Sequence, residues 1–91
     1  MSQSYILTEF NNIKRLPNEF VAEFNNRFQK RMYKLMQSMQ IDDNLCLINY
    51  LNAFDGKNAY HLRDKDPRTP REAFQMAINV ENNLRIIGRL K

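Results

Sequence analysis

The longest helical pattern in the chain runs from Leu16 to Met39. Large apolar side chains recur there every three or four residues, which places them along one side of an α-helix. The main stripe consists of Phe20, Phe24, Phe28, Leu35 and Met39, and Val21, Met32 and Met36 widen it. Because Pro17 disfavours helix in the residue before it but is accepted in a first helical turn, the sequence predicts a helix that starts between Pro17 and Phe20.

Charged positions refine the expectation for this helix. Glu19 is expected in its first turn, where the helix dipole favours a negative charge. Glu23 and Arg27 are four residues apart, with the acid nearer the N-terminus. This spacing predicts an i,i+4 ion pair, worth only a few tenths of a kcal/mol if it is exposed.

Residues 2–15 are predicted to form a short amphipathic helix or a docked arm. Ser2 or Ser4 is the candidate N-cap of this segment. Lys14 and Arg15 come at its C-terminal end, where a helix dipole favours cations. The apolar side chains that share one side of it are Tyr5, Ile6, Phe10 and Ile13.

A second main helix is predicted over residues 43–54. Asp42 or Asp43 can cap its start, and Asp55 followed by Gly56 supplies a stop signal. The side chains expected to face the core are Leu47, Ile48, Leu51 and Phe54, which leaves Leu45 and Tyr50 off the main face. A short third helix over residues 57–64 is expected to bury Ala59, Tyr60 or Leu62.

The clearest local signal opens the last helix. Thr69 is a helix-capping residue, Pro70 suits the first helical position, and Glu72 at the third position completes a capping box. The helix is predicted to run to about Ile87 and to be closed by Gly88. Its expected core face is Ala73, Ala77, Val80, Leu84 and Ile87, with Phe74 and Ile78 beside it.

Length and composition favour one small helical domain over residues 1–91, with an N-terminal arm over 1–15 and a helical core over 16–88. Two glycines and three prolines leave little room for the turns of a many-stranded sheet. The predicted fold class is therefore all-α, a compact bundle of four to five helices. Because the sequence has neither a long apolar run nor a signal-peptide pattern, the chain is expected to have no membrane segment and to stay in the cytosol.

Residues that could carry chemistry are few. Cys46 is the only cysteine, so it cannot form an internal disulfide and is expected to be a buried, inert thiol. His61 is the only histidine, and no nucleophile can be paired with it from the sequence. Asp42 and Asp43 read as helix caps rather than metal ligands. No catalytic, metal or cofactor site is predicted, and the chain is not expected to be an enzyme.

One spacing at the start of the longest helix points to a family. Glu19, an aromatic residue five positions later at Phe24, and then Arg27 followed by Phe28 together resemble the major homology region of retroviral and retrotransposon capsid proteins. That motif opens the C-terminal lobe of the capsid part of Gag. The order of the later elements, and residues 68–84 in particular, resemble Gag of gypsy-class long-terminal-repeat retrotransposons and capsid-like proteins domesticated from them.

The resemblance covers about residues 10–88 and implies an assembly module. Glu19 and Arg27 would be a structural pair, with Phe24 and Phe28 in the core. Retroviral versions carry Gln-Gly where this chain has Arg15 and Leu16, so the family's hydrogen-bond network cannot form here in the same way.

Lobes of this family join Gag subunits into shells, often through a self-complementary contact around the second main helix. The candidate interface residues here are Leu45, Asn49, Tyr50 and Asn52, on the part of that helix expected to be exposed. The implied partners are further copies of the chain, in a weak dimer through this helix, and the N-terminal capsid lobe of the full-length protein. RNA would bind only through regions outside this chain, and the assembled particles would be cytoplasmic.

Two other functions fit parts of the sequence. A dimerisation module of a cellular regulatory protein, such as the SCAN type, resembles the same lobe and would be attached to zinc fingers. A nucleic-acid-binding domain would use the basic side chains, for which the sequence offers two groups. The groups are Lys30, Arg31 and Lys34 on the longest helix, and Arg85, Arg89 and Lys91 near the C-terminal end.

Overall fold

Five helices and their connections make up the part of the chain that can be described. The computed structural model describes residues 3–39 and 41–89, and within these ranges it contains no strand. The helices are α1 (Gln3–Asn11), α2 (Val21–Ser38), α3 (Asp43–Asn52), α4 (Gly56–Asp64) and α5 (Pro70–Arg89). The predicted all-α bundle is therefore confirmed. None of the described helices combines the length and the apolar character that crossing a membrane requires.

The long helix α2 starts later than predicted. Its N-cap is Phe20, whose backbone is extended, and its first helical residue is Val21. Glu19 therefore lies before the helix, in a turn in which its N–H donates to the carbonyl of Leu16 at 3.0 Å. The expectation that Glu19 lies in the first helical turn is therefore wrong. The separate turn that contains Pro17 ends at Glu19, before the helix begins.

Aromatic rings from several helices form the centre of the core. The Tyr50 ring of α3 lies 5.1 Å from the Phe28 ring of α2 and 4.8 Å from the Phe74 ring of α5, with centroids as the reference points. Phe24 and Phe54 complete the cluster at 5.7 and 5.1 Å from Tyr50. Most of these pairs meet edge to face, an arrangement that aromatic quadrupoles favour.

The buried face of α3 differs from the predicted one. Cys46, Leu47 and Tyr50 are buried, whereas Ile48 is 54% exposed. Helix α3 is apolar at six of its ten positions and on nearly all sides, so hydrophobic periodicity does not select a face. The large Tyr50 ring fills the centre of the core instead. Helix α3 is therefore rotated about its axis relative to the prediction, and Ile48 faces outward. Asp42 caps the helix as expected, because its carboxylate accepts from the N–H of Leu45 at 2.9 Å.

Helix α1 packs on α2, with Phe10 and the following Ile13 buried in the common core. The Phe10 and Phe28 ring centroids are 5.0 Å apart. Ser2 and the side chains of residues 3–6 lie outside the described part of the structure. The predictions of an N-cap at Ser2 or Ser4, and of Tyr5 and Ile6 on the apolar side, therefore stay predictions. Lys14 and Arg15 do not stabilise the end of α1, because the helix already ends at Asn11.

The capping signal at the start of α5 is confirmed, and of the three residues that α4 was expected to bury as alternatives, Leu62 is the one fully buried. Leu62 is buried in α4, whereas Tyr60 is 69% exposed. Thr69 accepts from the N–H of Glu72 at 3.2 Å, as a capping residue should, although the Glu72 carboxylate reaches back to the N–H of Arg68 rather than that of Thr69.

The end of α5 extends further than predicted. The helix continues through Gly88 to Arg89, so this glycine does not close it. Beyond Val80 no described side chain of α5 is fully buried, and Ile87, which was expected on the core face, is 50% exposed. The reason is that the last turns run past the edge of the core that the neighbouring helices form.

The two glycines permit a matched stability test. A Cβ added at Gly56 or at Gly88 would meet no atom within 4 Å, but Gly56 has φ +59° and Gly88 is helical. Gly56→Ala should therefore lower the free energy of unfolding by about 1 kcal/mol, because the left-handed conformation strains an L-residue. Gly88→Ala should raise it by up to about 0.5 kcal/mol through better helix propensity. Urea unfolding of both variants measures the difference, and equal effects would contradict it.

Candidate functional site

The centre of the candidate site is a two-bond ion pair. The Arg27 Nε–H donates to Glu19 Oε2 at 3.0 Å, and Arg27 Nη2 donates to Glu19 Oε1 at 2.9 Å. The guanidinium carbon also lies 5.2 Å from the centre of the Phe24 ring. Such two-point geometry makes the pair directional as well as attractive. Arg27 therefore pairs with Glu19, eight residues before it, and not with Glu23 as the helical spacing predicted.

The same pair holds the backbone of the connecting segment, which we define as residues 12–20. Arg27 Nη2 donates to the carbonyl of Lys14 at 2.7 Å, and Glu19 Oε1 accepts from the N–H of Leu16 at 3.1 Å. The glutamine expected from the retroviral pattern is therefore not required for a network here. Main-chain groups of the connecting segment supply the additional hydrogen bonds.

The charge state of the pair follows from these contacts. Hydrogen bonds from the Arg27 guanidinium, and then from the Leu16 N–H, lower the pKa of Glu19, although partial burial opposes the shift. The hydrogen bond to Glu19 likewise raises the pKa of Arg27. Both groups are thus held in their charged forms at neutral pH.

The connecting segment is also fastened to α3. The N–H of Arg15 donates to the carbonyl of Ala53 at 3.0 Å, just after the end of α3. Lys14 Nζ donates to the carbonyl of Asn52 at 2.7 Å. Arg27 on α2 and the end of α3 therefore hold the connecting segment from two sides.

Glu81 of α5 joins this site, and its role was not predicted from the sequence. Its Oε2 accepts from the N–H of Val21 at 2.9 Å, which caps the start of α2 from another helix. The Arg15 guanidinium lies 3.6 Å from the same carboxylate oxygen. Glu81 falls within residues 68–84, where the sequence resembles the family, but that resemblance assigns it no role. No local signal could reveal the contact, because 60 residues separate Glu81 from Val21.

The four candidate interface residues of α3 are not all at the surface. Asn52 is exposed and Leu45 is partly exposed, but Asn49 and Tyr50 are buried. Asn49 donates through Nδ2 to Asn11 Oδ1 at 2.8 Å, so it helps to dock α1. The expectation that Asn49 and Tyr50 lie on the exposed part of the helix is wrong, for the reason already given for the rotation of α3. Ile48 takes the exposed position instead.

Tyr50 carries a polar link through the centre of the core. Its hydroxyl donates to Asn25 Oδ1 of α2, and Asn25 Nδ2 donates to the carbonyl of Phe74 of α5 at 3.4 Å. Burial raises the pKa of the Tyr50 hydroxyl far above its usual range, so it remains a protonated donor. One chain of hydrogen bonds thus connects α2, α3 and α5.

The remaining chemistry-bearing residues form no cluster in the described ranges. Cys46 is buried, and burial together with Asp43 and Asp42 raises the pKa of its thiol to about 11. The prediction of a buried thiol is thus confirmed. His61 is exposed, and its nearest aromatic ring is that of Tyr60 at 5.4 Å. No group of three or more His, Cys, Asp or Glu side chains in these ranges could hold a metal ion.

The two basic groups are partly engaged within the fold. Arg31 Nη1 of α2 lies 3.2 Å from Glu9 Oε2 of α1. The guanidinium of Arg85 lies 4.4 Å from the centre of the Phe20 ring, a cation–π distance. Lys30 and Lys34 are exposed on α2.

The Glu19 carboxylate should make stability depend on pH. Glu19→Gln is expected to lower the free energy of unfolding at pH 7 by about 1–2 kcal/mol, because Arg27 loses its charged acceptor. Since the pKa of Glu19 is lower in the folded state than its ordinary value of 4.5, this contribution is present above that pH. It should decline as the pH falls below 4.5 and be lost once the pH has passed through the lower pKa of the folded state, where Glu19 becomes protonated. Urea unfolding from pH 7 to pH 3 measures the difference.

Glu23→Gln is the matched control for that experiment. Glu23 is exposed in the first turn of α2 and, unlike Glu19, does not bind Arg27. Its substitution should change the free energy of unfolding by less than about 0.5 kcal/mol. A Glu23 variant as unstable as the Glu19 variant would contradict the assignment of Arg27 to Glu19.

The buried hydroxyl of Tyr50 gives a second stability prediction. Tyr50→Phe keeps the ring but leaves Asn25 Oδ1 without its donor inside the core, so it should cost about 1–3 kcal/mol. Tyr60→Phe is the same chemical change on an exposed ring and should cost less than about 0.5 kcal/mol. Thermal unfolding of the two variants compares them. Equal melting temperatures would show that the Tyr50 hydroxyl contributes nothing.

No protein-family model matches the chain, and no curated protein or solved structure matches it. The resemblance to capsid lobes therefore rests only on the joint spacing of Glu19, Phe24, Arg27 and Phe28 and on the order of the helices.

Proposed function

We propose that this chain is a structural protein-interaction module, similar to the C-terminal lobe of Gag capsid proteins from gypsy-class retrotransposons. Its copies would join with one another, and with an N-terminal capsid lobe in the full-length protein, to build a shell in the cytoplasm. RNA would be bound by regions outside this chain. The proposal assigns no catalysis and no cofactor to the chain.

The observation that carries the proposal is the Glu19–Arg27 pair at the start of α2. Glutamate and arginine hold the positions of the capsid motif, and their side chains meet in two hydrogen bonds. The two aromatic residues of the motif, Phe24 and Phe28, are buried in the core. Many helical domains have an apolar stripe. Such a stripe alone does not require a glutamate that precedes the helix to pair with an arginine inside it.

A surface on α3 suits self-association. Ile48 is exposed there, Leu45 and Leu51 are partly exposed, and Asn44 and Asn52 flank them as polar neighbours. We call these five residues the α3 surface. An apolar centre with a polar rim is the usual composition of a protein interface. Two copies meeting through the same surface would form a two-fold dimer.

Two alternatives predict different behaviour. A SCAN-like dimerisation module would also self-associate, but its full-length chain would carry zinc fingers rather than capsid regions. A nucleic-acid-binding domain would bind RNA or DNA with an affinity that falls steeply as salt rises. The engagement of Arg31 with Glu9, and of Arg85 with Phe20, leaves fewer free cations for phosphate than the sequence suggested.

Self-association should depend on Ile48. Sedimentation equilibrium from micromolar to millimolar concentration should detect a dimer of the unaltered chain. Ile48→Asp should weaken that dimer by about tenfold or more, because it places an unpaired charge at the centre of the α3 surface.

Ile86→Asp is the matched control, because Ile86 is also 54% exposed but lies on α5. It should leave the dimer intact. An unaltered chain that stays monomeric at millimolar concentration, or equal weakening by both substitutions, would count against an α3 dimer. Tight RNA binding that is lost with added salt would favour the nucleic-acid alternative.

A further inference from the structure

A cavity of about 240 Å³ lies between the connecting segment, α4 and α5. The side chains that line it are Arg15, Asn58, Glu81, Leu84 and Arg85. Ligand pockets are usually lined by apolar groups with a few polar ones, whereas four of these five side chains are polar and three are charged. Two guanidiniums and one carboxylate leave the lining with one net positive charge. The cavity therefore suits a small polar anion better than an apolar ligand.

Arg15 has hydrogen-bonding capacity that the fold does not use. Its side chain is 17% exposed, and its Nε is the one buried side-chain nitrogen or oxygen in the described ranges without a hydrogen-bond partner. The guanidinium lies 3.6 Å from the Glu81 carboxylate, an ion-pair distance that is too long for a hydrogen bond. Because an arginine carries only donors, and a buried donor without an acceptor is costly, Arg15 needs an acceptor that the described residues around it do not supply.

Arg85 brings a second guanidinium to the cavity. This group lies over the Phe20 ring, with 4.4 Å between its central carbon and the ring centre. Such a contact uses the face of the guanidinium, whereas the N–H groups point outward in its plane. The ring therefore holds Arg85 in place without occupying its donors. One fixed guanidinium beside a cavity can bind a single small anion, although it is too little for a long nucleic-acid backbone.

Asn58 adds an amide from α4. It is half-buried and is the third residue of this helix, so it lies in the first turn, where the helix dipole favours an anion. The N-cap residue, Asp55, makes no side-chain bond to this turn. Asp55 and Lys57, the charged residues nearest to Asn58 in the sequence, have opposite charges and do not line the cavity. Donors from three separate elements thus meet at one place.

Glu81 determines which anion the cavity can take. Its Oε2 accepts from the N–H of Val21 at 2.9 Å, which leaves Oε1 as an acceptor for a ligand. Sulfate has no proton at neutral pH, so its oxygens would repel this carboxylate. Phosphate keeps at least one proton at neutral pH, and that P–OH can donate to a carboxylate while the other oxygens accept from guanidiniums. The combination of one acid with two arginines therefore favours phosphate over sulfate.

We propose that the cavity binds hydrogen phosphate, with Arg15, Asn58 and Arg85 donating to its oxygens and its P–OH donating to Glu81. Bound phosphate would supply the acceptor that Arg15 lacks. It would also join the connecting segment to α4 and α5, because each of these three elements contributes a side chain to the cavity. The site goes beyond the proposed assembly function and does not depend on it.

A phosphate titration followed by nuclear magnetic resonance tests the site. The arginine Nε–H signals are recorded at pH 7 while phosphate replaces chloride at constant ionic strength. The Arg15 signal, identified by its loss in Arg15→Lys, should shift and saturate with a dissociation constant of about 1–10 mM. Arg85→Gln should raise that constant about fivefold or more, because one charged donor is lost. A shift that does not saturate by about 50 mM phosphate would overturn the proposal.

Arg71→Gln is the matched control, because Arg71 is also an exposed arginine of α5 but does not line the cavity. It should change the dissociation constant by less than about twofold. Equal weakening by the Arg71 and Arg85 substitutions would mean that phosphate is attracted only by the overall charge, and would overturn the site. Ile48→Asp should leave phosphate binding unchanged, so that failure of the α3 dimer and failure of this site are separate results.

Two other anions test the role of Glu81. Sulfate has no proton at pH 7, and methyl phosphate, which represents a phosphate group carried on another molecule, has mostly lost its second proton. Both should bind about fivefold more weakly than inorganic phosphate or worse, because neither can donate to the carboxylate. Glu81→Gln should remove most of this preference. Equal binding of either anion by the unaltered chain would overturn hydrogen phosphate as the ligand.

Discussion

The structure depends on the burial of Tyr50 at the point where three helices meet. Its ring packs against rings from α2 and α5, and its hydroxyl reaches Asn25 of α2. Asn25 in turn reaches the backbone of α5. The rings pack closely and mostly edge to face, and a buried polar link whose members are hydrogen-bonded helps to specify one arrangement of the core. Tyr50 therefore connects α2, α3 and α5 at the centre of the core.

That arrangement determines which surfaces the chain presents. Because the Tyr50 side of α3 faces inward, Ile48 and the rest of the α3 surface face outward. The proposed assembly function would need such fixed positions, because weak contacts build an ordered shell only if their geometry is constant from copy to copy.

The Glu19–Arg27 pair has a related role at the start of α2. It fastens the connecting segment, which hydrogen bonds to the end of α3, and Glu81 brings α5 to the start of α2. The pair therefore has a structural role, because it holds the connecting segment in place. Capsid-like function would depend on it indirectly, through the orientation of the helices that carry the contact surfaces.

The sequence by itself determined the features that depend on neighbouring residues. Apolar spacing indicated α2, Asp42 and Thr69 were recognised as caps, and the scarcity of glycine indicated an all-α fold. These signals involve residues within one or two helical turns of each other. They can therefore be recognised without knowing which helices pack together. The pairing of Arg27 was less clear from the sequence, because helical spacing favoured Glu23 as its partner while the resemblance to the capsid motif implied Glu19.

Only the tertiary structure decided the features that depend on distant residues. Helix α3 is apolar on nearly all sides, so the choice of Tyr50 for the core and Ile48 for the surface was made by the space between α2 and α5. Glu81 caps α2 from 60 residues away, a contact that no local pattern encodes. The exposed end of α5 likewise reflects where its neighbours stop, because an amphipathic helix buries its apolar face only as far as other elements cover it.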